Sequence, residues 1–233
     1  MFYKIGHRGA AGYATENTLE SFKKALELNV DMIELDAHIC KSKEVVVIHN
    51  KDTKKINKRK DQVIKQNYAD LKKIKIPTLE NVLDLINRKA KINIELKGKN
   101  TAEPVAKIVK NYIDNKKWHR NDFLISSFSK KELEKFIQYL PQIKIGFLIN
   151  PLRPYSLWIK RFPFIFKKHL HFAKKINSFS INIHKKIVNQ KIVAMAHKEK
   201  IKIFVYTVNQ KKEIQHLKDI GVDGIFSDYP DRL

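Results

Sequence analysis

The sequence predicts an α/β protein with the fold of a (β/α)₈ TIM barrel that carries a short insertion after the second strand. Short apolar, β-branched runs alternate with longer stretches of helical period, which is typical of parallel strands joined by helices. Eight such runs occur in 233 residues, and single barrels of this kind have roughly 250. No glycine pattern for phosphate binding follows the first run in the form that an open, doubly wound sheet requires. We therefore expect one barrel domain over residues 1–233.

The apolar runs give the predicted barrel strands, and the stretches of helical period between them give the predicted helices. The strands are Lys4–His7, Met32–Asp36, Ile92–Leu96, Phe123–Ser126, Lys144–Leu148, Phe179–Ile183, Lys202–Tyr206 and Gly224–Ser227. The helices are Leu19–Leu28, Leu79–Arg88, Glu103–Asn115, Lys131–Tyr139, Val188–Lys198 and Lys211–Ile220.

Two stretches interrupt the alternation of strands and helices. After the second strand, Val45–His49 is predicted as an extra short strand, and the Lys-rich segment Asn50–Lys75 follows it. The second stretch, Asn150–Ile176, contains three of the seven prolines and several aromatic residues among Lys and Arg. Both are too short for an independent domain, so we predict loop insertions on the barrel.

The net charge of +23 is large enough to attract nucleic acid, an anionic membrane or a small anionic substrate. However, the basic residues are mostly lysines spread along the whole chain, and no basic arm or nucleic-acid motif organises them. We therefore interpret most of the charge as solvated lysine faces and expect no specific nucleic-acid partner.

The chain has the features of a cytoplasmic protein. No apolar run reaches eighteen residues, which disfavours a membrane span. Residues 1–7 resemble a first strand and lack the pattern of a secretory signal peptide. The single cysteine, Cys40, excludes an internal disulfide and fits a reducing compartment.

Polar residues occupy the ends of two neighbouring predicted strands. Glu34 and Asp36 are two residues apart on the second strand, and Glu95 and Lys97 have the same spacing on the third. Because side chains alternate along a strand, each pair faces one side, and at the C-terminal mouth of a barrel the pairs converge. A strand carboxylate usually faces solvent, but Glu34 and Glu95 both lie within apolar runs, where an unpaired charge is costly. Three carboxylates there predict a cation site, and hard oxygen ligands suit Mg²⁺ or Ca²⁺.

His7 and His49 also fall at strand ends beside these carboxylates, whereas isolated histidines such as His119 have no such setting. Glycines crowd the first strand-to-helix loop, Gly9 among them, which would let a ligand approach the backbone closely. These residues are therefore candidates for the same site.

The polar residues belong to short motifs distributed from residue 6 to residue 231. The motifs are His7-Arg8-Gly9, Glu16-Asn17-Thr18, Glu34-Leu35-Asp36, His49, Ile94-Glu95-Leu96-Lys97, Ser126-Ser127-Phe128, Val205-Tyr206-Thr207-Val208-Asn209 and the segment 221–230. In this order they resemble the glycerophosphodiester phosphodiesterase family. The resemblance implies a (β/α)₈ fold, a small-molecule glycerophosphodiester substrate and release of glycerol 3-phosphate plus an alcohol, within phospholipid breakdown.

The resemblance also implies roles for individual residues. Glu34, Asp36 and Glu95 match the family's ligands for one divalent cation, and His7 and His49 match its acid/base pair. Arg8 matches a phosphate contact, and Lys97 a basic group near the phosphate. These roles are chemically consistent, because cations neutralise charge on phosphate oxygens and imidazole titrates near neutral pH. The nucleophile is either water or the neighbouring glycerol hydroxyl.

The chain departs from the family pattern at a few positions. Asn50 replaces the usual Asp after the second histidine, and Thr53 and Lys55 stand where Leu and Arg are usual. The turn Lys41–Glu44 lacks the usual Gly, and Tyr206 replaces Trp. Asn50 matters most, because a carboxylate there could orient or tune His49, whereas an amide forms hydrogen bonds without charge.

Three alternatives stay open. A lysophospholipase D would use the same site, and so would a phospholipase that forms a cyclic phosphate. A third is an inactive barrel that sequesters phosphodiesters or binds nucleic acid through its charge. The first alternative comes with peripheral contact to an anionic membrane, since aromatic and basic residues alternate in the second interrupting stretch. These residues are Trp158, Lys160, Arg161, Phe162, Phe164, Phe166, Lys167, Lys168 and Phe172. The sequence does not indicate an oligomeric state.

Overall fold

A closed barrel of eight parallel strands forms the centre of the structure, a computed structural model that describes residues 2–150, 158–159 and 162–233. Parallel pairs run around the ring, and the first strand, Tyr3–Gly6, closes it by pairing with both Gly224–Ser227 and Met32–Ile39. This confirms the predicted TIM barrel. The barrel strands are β1 (Tyr3–Gly6), β2 (Met32–Ile39), β4 (Lys91–Leu96), β5 (Phe123–Ser127), β6 (Lys144–Leu148), β7 (Ser180–His184), β8 (Lys202–Tyr206) and β9 (Gly224–Ser227).

Helices alternate with these strands and cover the outside of the barrel. The apolar face of each packs on the sheet, as the period of 3.6 residues requires. None of the helices in the described part of the chain is long and apolar enough to cross a membrane. The covering helices are α1 (Leu19–Glu27), α4 (Leu79–Ile86), α5 (Ala102–Asn115), α6 (Lys130–Tyr139), α7 (Phe166–Lys175), α8 (Gln190–Lys198) and α9 (Lys211–Asp219).

Helix α7 corrects the prediction that the whole stretch 150–176 is a loop insertion. Its buried residues Phe166, Leu170 and Ala173 recur at i, i+4 and i+7, so one face packs on the barrel core. The prolines and aromatic residues before it hid this period in the sequence. Lys160 and Arg161, which were predicted to flank the aromatic cluster, lie outside the described residues.

The predicted insertion after the second strand is present and has a small core of its own. Strand β3 (Val45–Val47) pairs antiparallel with the end of β2, and two short helices follow, α2 (Lys54–Asn57) and α3 (Tyr68–Lys73). The insertion core forms a cluster separate from the main barrel core. Its buried members are Cys40, Val46, Ile48, Val63, Leu71 and Ile76.

The inside of the barrel changes from apolar to polar along the strand direction. Near the amino ends it is filled by a cluster that includes Tyr3, Met32 and Phe204. Farther along the strand direction, buried polar groups such as Glu34 and Asn93 follow. The carboxyl ends of parallel strands meet at one mouth, so these polar side chains are collected there.

Candidate active site

Three buried carboxylates from two adjacent strands meet inside the barrel mouth. Asp36 of β2 pairs in register with Glu95 of β4, and Glu34 precedes Asp36 by two residues. One oxygen of each carboxylate lies within 4.8 Å of those of the other two. Glu34 is 3% exposed, Asp36 1% and Glu95 8%. The alternation of side chains along the strands therefore brings these three predicted residues together.

The surrounding protein shifts the pKa values of the three carboxyl groups differently. Burial raises the pKa of Glu34 well above its usual range, and the neighbouring Asp36 and Glu95 raise it further. Burial, with the charge of Asp36, also raises the pKa of Glu95 to about 7. For Asp36 burial acts in the same direction, but Lys97 and Arg8 outweigh it and hold its pKa low. Only Asp36 is therefore fully compensated by the protein's own cations.

This group of oxygens fits a hard divalent cation. Asp36 Oδ1 is buried and accepts no hydrogen bond, although Lys97 Nζ lies 3.5 Å away. Carboxylate oxygens in this number are the ligands that Mg²⁺ and Ca²⁺ prefer. A bound cation would also relieve the repulsion that raises the pKa values of Glu34 and Glu95.

Two cationic side chains border the carboxylates. Arg8 donates its backbone N–H to Glu34 Oε2 at 2.8 Å, and its Nε lies 3.2 Å from Asp36 Oδ2. Lys97, just beyond β4, places Nζ 3.0 Å from Glu95 Oε1. Burial would lower the pKa of Lys97, but Glu95 and Asp36 outweigh it and the net shift is upward. Both cations are therefore held charged beside the cavity.

The loop between β1 and α1 is fixed to the carboxylate cluster. Asn17 is buried, with φ of 60°; its amide donates to Asp36 Oδ2 at 2.8 Å, and its oxygen accepts the Asp36 backbone N–H at 3.2 Å. Gly9 has φ of 89°, and a Cβ there would lie 2.4 Å from Ser21 Oγ of α1. The close approach that needs this glycine is therefore to helix α1, whereas the prediction assigned it to a ligand. Asn17 is a site residue to which the sequence assigned no role.

Glu16 links the same loop to the insertion. It accepts a hydrogen bond from Arg8 Nη1 at 2.9 Å and one from Lys55 Nζ at 2.6 Å. Burial would raise the pKa of Glu16, but these two cations lower it below its usual value. Through Glu16, Lys55 therefore connects α2 to the guanidinium of Arg8.

His7 directly follows β1 and is oriented by a carboxylate from the far end of the chain. Its Nδ1 donates to Asp228 Oδ1 at 2.7 Å, and Asn209 Nδ2 donates to Asp228 Oδ2 at 2.7 Å. Burial would raise the pKa of Asp228, but the contact with His7 outweighs it and keeps that pKa low. Sequence reasoning assigned Asp228 no role, although it directly follows β9 as His7 follows β1.

His49 lies beyond the end of β3 and faces the same cavity from the insertion. Its Nδ1 donates to Asn50 Oδ1 at 2.9 Å, and its backbone oxygen lies 3.3 Å from His38 Nε2. Burial lowers the pKa of His49, and the charges of Lys97 and Arg8 lower it further against the opposing effect of Asp36. Asn50 therefore contacts the histidine, as the position of the departure suggested.

A small cavity of about 120 Å³ brings these groups together. It contains side chains from both predicted histidines, both cations and two of the carboxylates, with apolar residues of later strands opposite. Its lining residues are His7, Arg8, Glu34, His49, Asn93, Glu95, Lys97, Ser126, Phe128, Leu148, Tyr206, Thr207 and Phe226.

A parallel barrel with buried acids, cations and histidines collected at its C-terminal mouth defines a barrel enzyme. The pattern of the glycerophosphoryl diester phosphodiesterase family matches residues 7–232. The chain is 31% identical to a glycerophosphodiester phosphodiesterase of Bacillus altitudinis, over 98% of this chain and 95% of the relative. It is 26% identical to a lysophospholipase D of Homo sapiens, over 98% and 84%.

Solved structures agree with the barrel. A phosphodiesterase of Oleispira antarctica, in complex with the product sn-glycerol-3-phosphate, matches with a TM-score of 0.81 and 22% identity, over 98% of this chain and 93% of that chain. The chain belongs to the glycerophosphoryl diester phosphodiesterase family. The predicted resemblance is thereby confirmed, and so is the prediction that the protein is a phosphoric diester hydrolase.

Proposed function

We propose that the protein hydrolyses glycerophosphodiesters to glycerol 3-phosphate and an alcohol with the help of one divalent cation, Mg²⁺ or Ca²⁺. The observation that carries the proposal is the cluster of three buried carboxylates within 4.8 Å of one another, beside two cations and two histidines. Glu34, Asp36 and Glu95 would hold the cation. When bound, it would supply positive charge to the phosphate oxygens.

Arg8 and Lys97 bind the phosphate in this proposal. A phosphodiester is anionic and repels nucleophiles, so cations at the cavity wall lower the cost of adding negative charge to it. Both side chains are largely buried, where electrostatic interactions are stronger than in water. The carboxylates that hold them also fix their positions before substrate arrives.

His7 and His49 move the protons. Because Nδ1 of His7 donates to Asp228 and Nδ1 of His49 donates to Asn50, each imidazole keeps Nε2 for a proton on the reacting groups. One histidine takes a proton from the nucleophile, water or the neighbouring glycerol hydroxyl. The other gives a proton to the departing alkoxide. Asp228 and Asn50 are positioning residues, since they act through the histidines.

We place the reaction in phospholipid breakdown and in the cytoplasm. The substrate class is the deacylated form of phospholipids, and Cys40 is a free, buried thiol, which suits a reducing compartment.

Removal of divalent cations tests the proposal most directly. We expect the protein to release glycerol 3-phosphate from glycerophosphocholine. This release should stop in excess EDTA and resume when Mg²⁺ or Ca²⁺ is restored. Release can be followed with a coupled assay for glycerol 3-phosphate. Undiminished release after exhaustive chelation would remove the cation from the proposal, and no release under any condition would indicate a barrel that only binds phosphodiesters.

Asn50→Asp is expected to shift the pH dependence of turnover. A carboxylate on Nδ1 stabilises the imidazolium of His49, so the limb of the pH–rate profile governed by His49 should move about one unit to higher pH, with a higher rate near neutrality. Asp52 accepts the backbone N–H of Lys54 and does not contact His49, so Asp52→Asn serves as the control with an unchanged profile. If the Asn50→Asp profile coincides with that of the wild type, Asn50 does not tune His49.

A second candidate is a lysophospholipase D activity at the same site, favoured by aromatic rings beside the barrel mouth. Trp158 is 55% exposed and Phe164 65% exposed, and both contact the ring of Phe162 between them. Ile159 is fully buried in the barrel core and anchors the segment, and Lys167 is exposed nearby. Exposed aromatic rings next to lysines suit peripheral contact with an anionic membrane surface.

The double variant Trp158→Ala/Phe164→Ala is expected to lose membrane contact. The wild type should sediment with phosphatidylglycerol vesicles, and Trp158 fluorescence should shift to the blue, whereas Trp118 is buried and stays constant. We expect about fivefold weaker sedimentation for the variant and unchanged hydrolysis of soluble glycerophosphocholine. Tyr139→Ala, an exposed ring at the opposite end of the barrel, is the matched control. Equal sedimentation of all three proteins would contradict the membrane contact.

A further inference from the structure

A larger cavity of about 590 Å³ adjoins the catalytic one and has no role in the reaction described so far. It lies between the β1–α1 loop, the end of β3 and the insertion. His49 lines both cavities, so the imidazole stands at their shared wall. Glu16, which pairs with Arg8, lines the larger one as well. Two features, the shared His49 and the Glu16–Arg8 pair, therefore join the larger cavity to the smaller one.

The cavity at the carboxylates is the smaller of the two, about 120 Å³ against about 590 Å³. A glycerophosphodiester has one glycerol, common to all its substrates, and a second alcohol that varies. The volume of the adjoining cavity suits the second, variable group.

The lining of the larger cavity indicates an uncharged, hydroxylated alcohol. None of its lining residues is Phe, Tyr or Trp, and quaternary ammonium groups are recognised by aromatic faces. Its charged side chains carry both signs, and two of them, Glu16 and Lys55, pair with each other. Hydroxyl groups, which both donate and accept, match the remaining mixture of polar groups and isoleucines.

We propose that this cavity, bounded by the insertion, is the subsite for the leaving alcohol and that it selects uncharged polyols, such as a second glycerol, over choline. The inference rests on the proposed function. The oxygen that joins the alcohol to phosphorus would then lie beside His49. In hydrolysis the bond from phosphorus to this oxygen breaks, a bond from phosphorus to a water oxygen forms, and one proton of the water ends on the alcohol.

Filling the cavity from the insertion tests the subsite. Ile56 lines it from α2 and is partly exposed to solvent, so Ile56→Trp places a large ring there with little strain on the core. Ile64→Trp is the matched control, because Ile64 is an exposed isoleucine of the same insertion outside the lining. The substrates are glycerophosphoglycerol, glycerophosphocholine and the methyl ester of glycerol 3-phosphate, whose leaving alcohol is too small to need the cavity.

For the wild type we expect kcat/KM to be about tenfold higher with glycerophosphoglycerol than with glycerophosphocholine. Ile56→Trp should lower kcat/KM for glycerophosphoglycerol by about tenfold or more and leave the methyl ester within about twofold. Ile64→Trp should change neither.

Each other result overturns the inference in a different way. If Ile56→Trp lowered kcat/KM equally for glycerophosphoglycerol and for the methyl ester, the glycerol common to both, and not the leaving alcohol, would occupy the cavity. No loss for Ile56→Trp would show that the cavity is not used, and an equal loss for Ile64→Trp would assign the effect to a distorted insertion. A preference for choline would contradict the selection of polyols. A wild type inactive on all three substrates would contradict the proposed function itself.

Discussion

Glu34→Gln, Asp36→Asn and Glu95→Gln are each expected to lower turnover in saturating Mg²⁺ or Ca²⁺ by about a hundredfold to a thousandfold or more. Each substitution replaces an anionic ligand by a neutral amide of the same shape and leaves the buried contacts of the strand in place. Glu27→Gln, an exposed glutamate on α1, is the control. The measurement is kcat for glycerol 3-phosphate release. Full turnover by Glu34→Gln would contradict its assignment as a ligand.

The stability of the metal-free variants separates Glu34 from Asp36. Burial and like charges raise the pKa of Glu34, so Glu34→Gln should leave the melting temperature unchanged or raise it. Asp36 is paired with Arg8 and Lys97. Asp36→Asn removes the carboxylate that contacts both cations, while Arg8 keeps Glu16 and Lys97 keeps Glu95. The substitution should lower the free energy of unfolding by about 2 kcal/mol. Thermal unfolding in EDTA measures both effects.

His7→Ala and His49→Ala are each expected to lower turnover by roughly two to four orders of magnitude, the usual contribution of a positioned acid or base. Substrate binding should change far less, because Arg8 and Lys97 remain. His216→Ala, an exposed histidine on α9, should be neutral. Near-normal turnover by either site variant on a substrate with a poor leaving group would mean that its histidine is structural.

Asp228→Asn extends this test to the positioning of His7. Because Asp228 contacts the Nδ1 of His7, Asp228→Asn should lower turnover in the otherwise wild-type protein. In the His7→Ala background it should cause little further loss of turnover. A full additional loss in that background would show that Asp228 acts independently of His7.

Much of the site could be predicted because strand geometry fixes it. Side chains at i and i+2 on parallel strands must face one side, so Glu34, Asp36 and Glu95 converge whatever the loops do. The partner of His7 could not be derived in this way. Asp228 is 221 residues from His7 in the sequence, and only closure of the barrel through β1 and β9 brings them together.

Helix α7 and Asn17 show why local patterns failed elsewhere. A segment rich in proline and aromatic residues precedes α7, so the local pattern favoured a loop. Asn17 adopts a left-handed backbone conformation in a loop, and its contact with Asp36 depends on the path of that loop, which residue type does not specify. Tertiary packing decides both.

The separate core of the insertion means that the site is not equally stable throughout. The carboxylates belong to the barrel strands, whereas Ile48, next to His49, packs in the insertion cluster. Proteins open locally in cooperative units of differing free energy, as amide hydrogen exchange reveals. An opening of the insertion alone would remove His49 and Lys55 from the site and break the Lys55–Glu16 pair, while Glu34, Asp36, Glu95 and His7 stay in place. The carboxylate cluster would thus remain folded during openings in which His49, one of the two proposed proton-transfer residues, has left the site.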